Sequence, residues 1–401
     1  MATTNGRAQP FATEEGAANA HLPPGSPPGR WRVVDRLVVL AFAAALVIPG
    51  ALLVAGVHAA QLENRAPRAL PALSLDGLLD ASWPAGVDGF LTDRLALRPY
   101  AIRARGQAYW LSGGTGNPDV VRGLDDWLFI RQEFEPPCDF SGEQLGVALE
   151  GANRAFMAAG QEFRFILVPD KHTVYPEHVA PLPAFPPTCQ DSGRAALEDA
   201  VRALGSAAID GPALLSTAAH AAGARPMYYP QDTHWTPQGA ATVVEALARS
   251  FDPELWNADT RVERGVRRRV VDLAALIGLR HVERTPNIVL RPDVAQQREN
   301  VAVPVQLSHA PSIFRITCSG DASLLPGRTL VLYDSFFAID TRLVAPFFAD
   351  TTWIEVADLL DHPDLAKLLG PFDRVIFERV ERALYGTDVE AALSPLIGGG
   401  G

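Results

Sequence analysis

Arg328-Thr329-Leu330-Val331-Leu332-Tyr333-Asp334-Ser335-Phe336-Phe337 decides the fold. Four consecutive apolar or aromatic residues, 330–333, are too few for a helix of ordinary length and read as a fully buried strand. The strand stops at an acid and a serine. Two further runs have the same character: Phe163-Arg164-Phe165-Ile166-Leu167-Val168, closed by Pro169, and Asp373-Arg374-Val375-Ile376-Phe377. Continuous apolar strands are buried on both faces, as in parallel sheets. Helical stretches separate them, around 191–204 and 355–369, and Pro237–Ser250 reads as a helix capped by Thr236 with Pro237 in its first turn. The expected architecture is therefore α/β, a parallel sheet flanked by helices.

In such a sheet, active residues gather at the carboxyl ends of strands. Ser335 stands at one such end, where its hydroxyl can be presented beside backbone N–H groups able to hold an oxyanion. A helix-capping serine is the competing reading. The second segment is Tyr228-Tyr229-Pro230-Gln231-Asp232-Thr233-His234-Trp235-Thr236-Pro237. Residues i and i+2 of an extended backbone point the same way. Asp232 can then accept from one imidazole nitrogen of His234 and leave the other for a nucleophile, as a Ser-His-Asp triad needs. An Asp-His surface turn is the alternative. His172 and His178 do not group with His234 at any metal-ligand spacing, so no metal is expected.

The chain has 401 residues, 48% hydrophobic and 20% charged, enough to bury a large core. Its formal net charge of -11 argues against a nucleic-acid partner. Arg267-Arg268-Arg269 is the dense basic run and reads as a solvated turn. Residues 1–36 are expected to be a disordered tail, on the Gly-, Ala-, Pro- and Thr-rich composition of 1–29. Residues 37–58 then form an apolar segment; from Leu37 to Val57 it carries no charge, long enough to cross a bilayer as one helix. Arg30, Arg32 and Arg36 before it, against Arg65 and Arg68 after it, weakly favour a cytoplasmic N-terminus. A cleaved signal at Val57-His58-Ala59 is possible, but the leader is long for one. Either way residues 59–401 form the exported domain. Cys138 and Cys189 both stand beside prolines in expected loops; outside the cytoplasm they could pair, and two free thiols is the alternative.

Seven segments, in order, resemble the AlgX/AlgJ-type alginate O-acetyltransferase family. They are Glu63-Asn64-Arg65; Asp93-Arg94 with Arg98; Gly123-Leu124-Asp125-Asp126-Trp127-Leu128-Phe129, with Asp126 in place of the usual glycine; Pro169-Asp170-Lys171 through Tyr175-Pro176-Glu177; Asp232-Thr233-His234-Trp235-Thr236; Asp334-Ser335-Phe336; and Glu378 through Glu381-Arg382. The resemblance extends over most of residues 60–385. It implies an SGNH-hydrolase-like domain behind a single transmembrane helix, with Ser335 as nucleophile, His234 as general base and Asp232 as orienting carboxylate. Lys171 and Tyr175 follow a strand end and are candidates to line the substrate cleft; a packed turn with a solvated lysine is the alternative. The implied activity is transfer of an acetyl group, through an acyl-serine and without a cofactor, onto hydroxyls of an exported or cell-surface polysaccharide. A membrane-bound acyltransferase is the implied acetyl donor, and the cytoplasmic membrane, with the catalytic domain on its periplasmic or extracellular side, the implied location. A carbohydrate acetyl-esterase and a non-catalytic polysaccharide-binding protein of the cell envelope are the rival readings.

Overall fold

The computed structural model describes residues 28–57, 68–72, 82–181, 187–305, 307 and 313–397. The chain divides into two compact units, residues 1–99 and 100–401. In the first, a helix runs from Pro28 to Val54 and continues through Pro49. Its stretch Val33–Val54 is long and apolar enough to cross a membrane, and none of it is buried in protein. Twenty-two residues at a helical rise reach about 33 Å, which matches a hydrocarbon core of about 30 Å. The expected disordered tail lies outside the described residues as far as 27. Beyond that the expectation is corrected: residues 28–36 are already helical, with a proline at the first helical position, where its missing N–H costs nothing. The Glu63–Arg65 segment lies outside the described residues. A second helix of this unit spans Ser82–Arg94.

Among the described residues, the second unit has eleven strands: β1 (Val120–Arg122), β2 (Leu128–Ile130), β3 (Glu162–Val168), β4 (Ala208–Asp210), β5 (Arg261–Val270), β6 (Val282–Leu290), β7 (Ala295–Asn300), β8 (Ile313–Ser319), β9 (Leu325–Tyr333), β10 (Phe348–Glu355) and β11 (Arg374–Val380). Seven of them form one sheet in the order β4-β3-β11-β9-β10-β8-β7. The first five run parallel. The last two pairings are antiparallel, so the expected parallel sheet is in fact mixed.

The three strands read from apolar runs are β3, β9 and β11, side by side in the middle of the sheet. Alternation along them divides the core. Ile166, Val168, Val331, Tyr333 and Ile376 face one side, packed with Ala240, Val244 and Leu247 of the helix Pro237–Phe251. Phe163, Phe165, Leu167, Leu330, Leu332, Val375 and Phe377 face the other, packed with residues of the helices Gly142–Ala158 and Pro187–Leu204. Helices on both faces explain why these strands need no polar side.

Cys138 and Cys189 form a disulfide with their Cα atoms 4.7 Å apart. Cys138 is in a loop as expected, whereas Cys189 lies in the first turn of Pro187–Leu204. The basic run is also corrected. Arg267, Arg268 and Arg269 are in β5, paired across an antiparallel hairpin with Thr285, Arg284 and Glu283 of β6. In the turn between β1 and β2, Asp125 and Asp126 have φ of 52° and 61°. That is left-handed backbone, which glycine adopts freely and aspartate tolerates better than most residues. The turn's geometry is thus kept without the usual glycine.

Candidate active site

Because β3, β11 and β9 are parallel, their carboxyl ends share one edge. Asp170 and Lys171 follow β3, Glu381 and Arg382 follow β11, and Asp334 and Ser335 follow β9. The Asp-Thr-His segment reaches the same edge from a loop. An isolated antiparallel bridge joins Tyr228 to Trp235 and closes that loop. Thr236 then caps the helix Pro237–Phe251 by accepting from the Gly239 amide at 3.3 Å. A side chain at Gly239 would meet the Met227 carbonyl at 2.4 Å, so glycine lets the helix start this close to the loop.

Inside the loop, His234 Nδ1 lies 2.8 Å from Asp232 Oδ1, the contact expected from their spacing. The His234 amide also donates to that oxygen, at 3.0 Å. Asp232 is fully buried. Its other oxygen accepts from Arg269 Nε at 2.7 Å and from the Asp272 amide at 3.0 Å. Asp272 brings a second carboxylate to the same imidazole, Oδ2 being 3.3 Å from Nδ1. Its Oδ1 accepts from the Thr233 amide at 2.8 Å, and the Thr233 hydroxyl donates to Oδ2. Asp272 was not singled out in the sequence, and Arg269 only as part of a basic run read as a solvated turn.

Burial alone lowers the His234 pKa, but the hydrogen bonds and charges of Asp232 and Asp272 outweigh it and hold the pKa above the ordinary value. Burial would raise the Asp232 pKa. Its bonds to His234 and Arg269 overcome this and keep it well below the usual carboxylate range. Asp232, His234 and Asp272 bring ligand-type atoms within 4.8 Å of one another. The positive charge among them is the Arg269 guanidinium, and their inward-facing atoms already engage Arg269, Thr233 and a backbone amide. We read a charge network there.

His234 Nε2 is buried and has no hydrogen-bond partner. The bond expected between Ser335 Oγ and His234 is therefore not made. The two segments do meet through the next residue: the Phe336 ring packs 5.1 Å from the His234 ring and 5.1 Å from Trp235. Ser335 itself is exposed at the start of the short helix Ser335–Ala338. Asp334 caps that helix by accepting from the Phe336 amide at 2.9 Å, which commits one N–H expected to serve an oxyanion. Asp334 Oδ2 also accepts from the Val380 amide, and its own amide donates to Glu378, at 2.8 Å in each case. Glu378 is fully buried; desolvation and the neighbouring Asp334 push its carboxyl well above the ordinary range.

Lys171 and Tyr175 are corrected. Lys171 has no exposed surface, and its Nζ donates to the carbonyls of Tyr229, Pro230 and Asp232 at 3.3, 3.0 and 2.8 Å. Burial lowers its pKa to about 8 despite the surrounding carboxylates. The Tyr175 hydroxyl accepts from the Met227 amide at 2.7 Å. Both side chains grip the loop from below. Alongside them Arg382 pairs with Asp170, and Glu381 accepts from the Asp170 amide and the Thr173 hydroxyl, both at 2.7 Å.

Fold and site define an SGNH-hydrolase-like α/β domain with an Asp-x-His pair before the serine-bearing strand. Residues 120–315 match the family described as "SGNH hydrolase-like domain, acetyltransferase AlgX". This segment is thus similar to the acetyltransferases of that family. The match contains Asp232, His234, Arg269 and Asp272 and ends before Ser335. The "Probable alginate O-acetylase AlgJ" of Pseudomonas aeruginosa is 31% identical over 198 residues, 47% of this chain and 48% of that protein. The protein of the same description from Azotobacter vinelandii is 27% identical over 205 residues, 46% of this chain and 50% of its own length. The chain thus spans about half the length of the curated relatives it matches. The solved O-acetyltransferase domain of Pseudomonas putida AlgJ is 20% identical, covers 68% of this chain and 94% of its own, and superposes with a TM-score of 0.45.

Proposed function

We propose that this protein is an O-acetyltransferase that moves an acetyl group through an acyl-serine onto hydroxyls of a polysaccharide outside the cytoplasmic membrane. The observation that carries this is the buried Asp232–His234 pair. It leaves Nε2 unpaired beside the segment that bears Ser335. The match of residues 120–315 to a family described as acetyltransferases supports the same reading.

In this reading Nε2 takes the Ser335 proton as Oγ attacks the acetyl carbonyl, and Asp232 steadies the imidazolium that forms. Catalytic hydrogen bonds are often long without substrate and tighten when it binds. The Ser335–His234 bond thus belongs to the donor-bound state. With the Phe336 amide held by Asp334, the Ser335 backbone N–H is the donor assigned to the tetrahedral oxyanion. His234 then returns its proton to the leaving group. In the second half a sugar hydroxyl gives its proton to His234 and attacks the acyl-serine; the bond from the acyl carbon to Ser335 Oγ breaks, and His234 returns the proton to Oγ. The acetyl donor is a membrane-bound acyltransferase, and the helix Pro28–Val54 keeps this domain near it.

The test is acetylation of a polysaccharide acceptor from an activated acetate ester, with release of free acetate followed in parallel. Ser335→Ala and His234→Ala should each lower transfer at least about a thousandfold, and Asp232→Asn less. An acetylated sugar product is the expected result. Acetate release that ignores the acceptor would mark an esterase. Full transfer by Ser335→Ala would leave only a binding role.

A further inference from the structure

Ordinary triads give the imidazole one carboxylate. Here Nδ1 of His234 faces two, Asp232 at 2.8 Å and Asp272 at 3.3 Å, with Arg269 Nη2 at 3.1 Å and the Thr233 hydroxyl at 2.9 Å. Arg269 poses an electrostatic problem. Its guanidinium fixes Asp232 through a 2.7 Å bond, but a cation this close to His234 opposes the imidazolium that must form during catalysis. Asp272 answers it, because a second negative charge offsets the arginine while Asp232 keeps its contact with Nδ1. The backbone makes the device compact. Arg269 is near the end of β5 and Asp272 opens the helix Asp272–Leu276 directly after it, so one short segment delivers both charges and the Asp272 amide. The hairpin is fastened to the loop elsewhere as well. Glu283 accepts from the Gln231 amide at 3.0 Å, and Thr285 meets the Tyr229 hydroxyl at 3.1 Å.

We infer that Arg269 and Asp272 are a pair of positioning residues for the general base: Arg269 locks the Asp232 carboxylate, and Asp272 restores the negative charge that lets His234 accept a proton. The inference rests on the proposed role of His234. It assigns a task to the β5–β6 hairpin, which otherwise reads as a peripheral insertion beside the main sheet.

The charged groups facing His234 are Asp232 from its own loop, and Arg269 and Asp272 from the hairpin segment. Lys171, below the loop, and Glu283, on β6, interact with the charge of Asp232. The two proposed residues act with opposite sign. Asp272→Asn removes a negative charge and should shift the His234 titration down in pH, whereas Arg269→Gln removes a positive charge and should shift it up. A structural support would not produce paired shifts of opposite direction.

The experiment uses the full chain in detergent with ring-labelled histidine. Magnetic resonance follows the His234 signal, assigned by its loss in His234→Gln. Asp272→Asn should lower the midpoint, and Arg269→Gln raise it, each by at least about half a pH unit. In ester cleavage, the acidic limb of kcat/KM should move with each midpoint, and Asp272→Asn should lower kcat about tenfold at its optimum with little change in KM. Asp272→Glu, which keeps the charge, should restore the midpoint. Shifts in the same direction, or none, would overturn the inference; so would failure of Asp272→Glu to recover the midpoint in a protein with an unchanged Tm. The titrations need no turnover and are read separately from the triad. If Ser335→Ala keeps full activity, the parent reading fails whatever the midpoints do. If Ser335→Ala is inactive and the midpoints stay still, only this inference fails.

Discussion

Asp232 and His234 were legible because their relation is local: two residues on one short extended stretch, with a capped helix immediately after. Arg269 and Asp272 are 37 and 40 residues further along, and no spacing rule connects them to the loop. Arg269 was hidden further by its neighbours, since three adjacent arginines resemble a solvated face until the strand alternates them. Arg267 turns inward to Asp340 at 2.5 Å, Arg269 turns inward to Asp232, and Arg268 faces solvent. Lys171 shows the opposite error. A lysine after a strand end suggests a cleft, yet here the stem carries the ammonium inward to three carbonyls. Lys171→Met keeps the volume and removes three bonds from a charged donor; the Pro230 and Tyr229 carbonyls keep the Leu128 and Asp232 amides, and the buried Asp232 carbonyl loses its donor. The substitution should lower stability by about 2–4 kcal/mol in urea unfolding, since hydrogen bonds to a charged group are worth more than neutral ones and a buried acceptor left unpaired is costly. Relief of the buried charge works against this loss, so a cost below about 1 kcal/mol would mean that burial already cancels what the lysine contributes.

Legibility at the level of elements followed burial. β3, β9 and β11 announced themselves as apolar runs because helices cover both faces of the sheet there. β7 reads Ala-Gln-Gln-Arg-Glu-Asn and is exposed along its whole length, so it carries no apolar period to find. With β8 it extends the sheet in antiparallel fashion, which is why the parallel expectation was right for the site-bearing strands and wrong at that edge. The disulfide is also an element-scale device. It ties the loop after β2 to the first turn of Pro187–Leu204, across a sequence separation of 51. The loop-closure estimate for a ring of that size is about 4 kcal/mol, acting through the unfolded chain. Cys138→Ser and Cys189→Ser should each lower Tm by a similar amount, and the double variant should add little beyond either single one. Additive losses would show that the cysteines stabilise by separate packing, independent of the bridge.

For the whole molecule, the decisive contrast is between the helix Pro28–Val54 and everything after residue 100. Apolar residues of the second unit are packed in clusters on both sides of a sheet, whereas Leu37, Val38, Val39, Leu40, Phe42 and Leu46 each leave about 60% or more of their surface uncovered. Large apolar surface of this extent is not stable in water and needs a lipid or protein cover. No described residue buries the stretch Val33–Val54, and its length suits a bilayer, so lipid is the cover we assign. A disulfide in the second unit is consistent with export of that unit to an oxidising compartment. Both observations support the proposed reading of a tethered enzyme that works outside the cytoplasm. Full-length protein expressed in a bacterial host should sediment with membranes, stay there through high-salt and alkaline washes, and be released by detergent. Protease added to intact spheroplasts should digest the second unit, and the same chain begun at residue 59 should stay in the supernatant. Release of the full-length chain by salt alone would reduce the helix to a peripheral contact, and protection of the second unit in intact spheroplasts would place it on the cytoplasmic side and end the extracytoplasmic assignment.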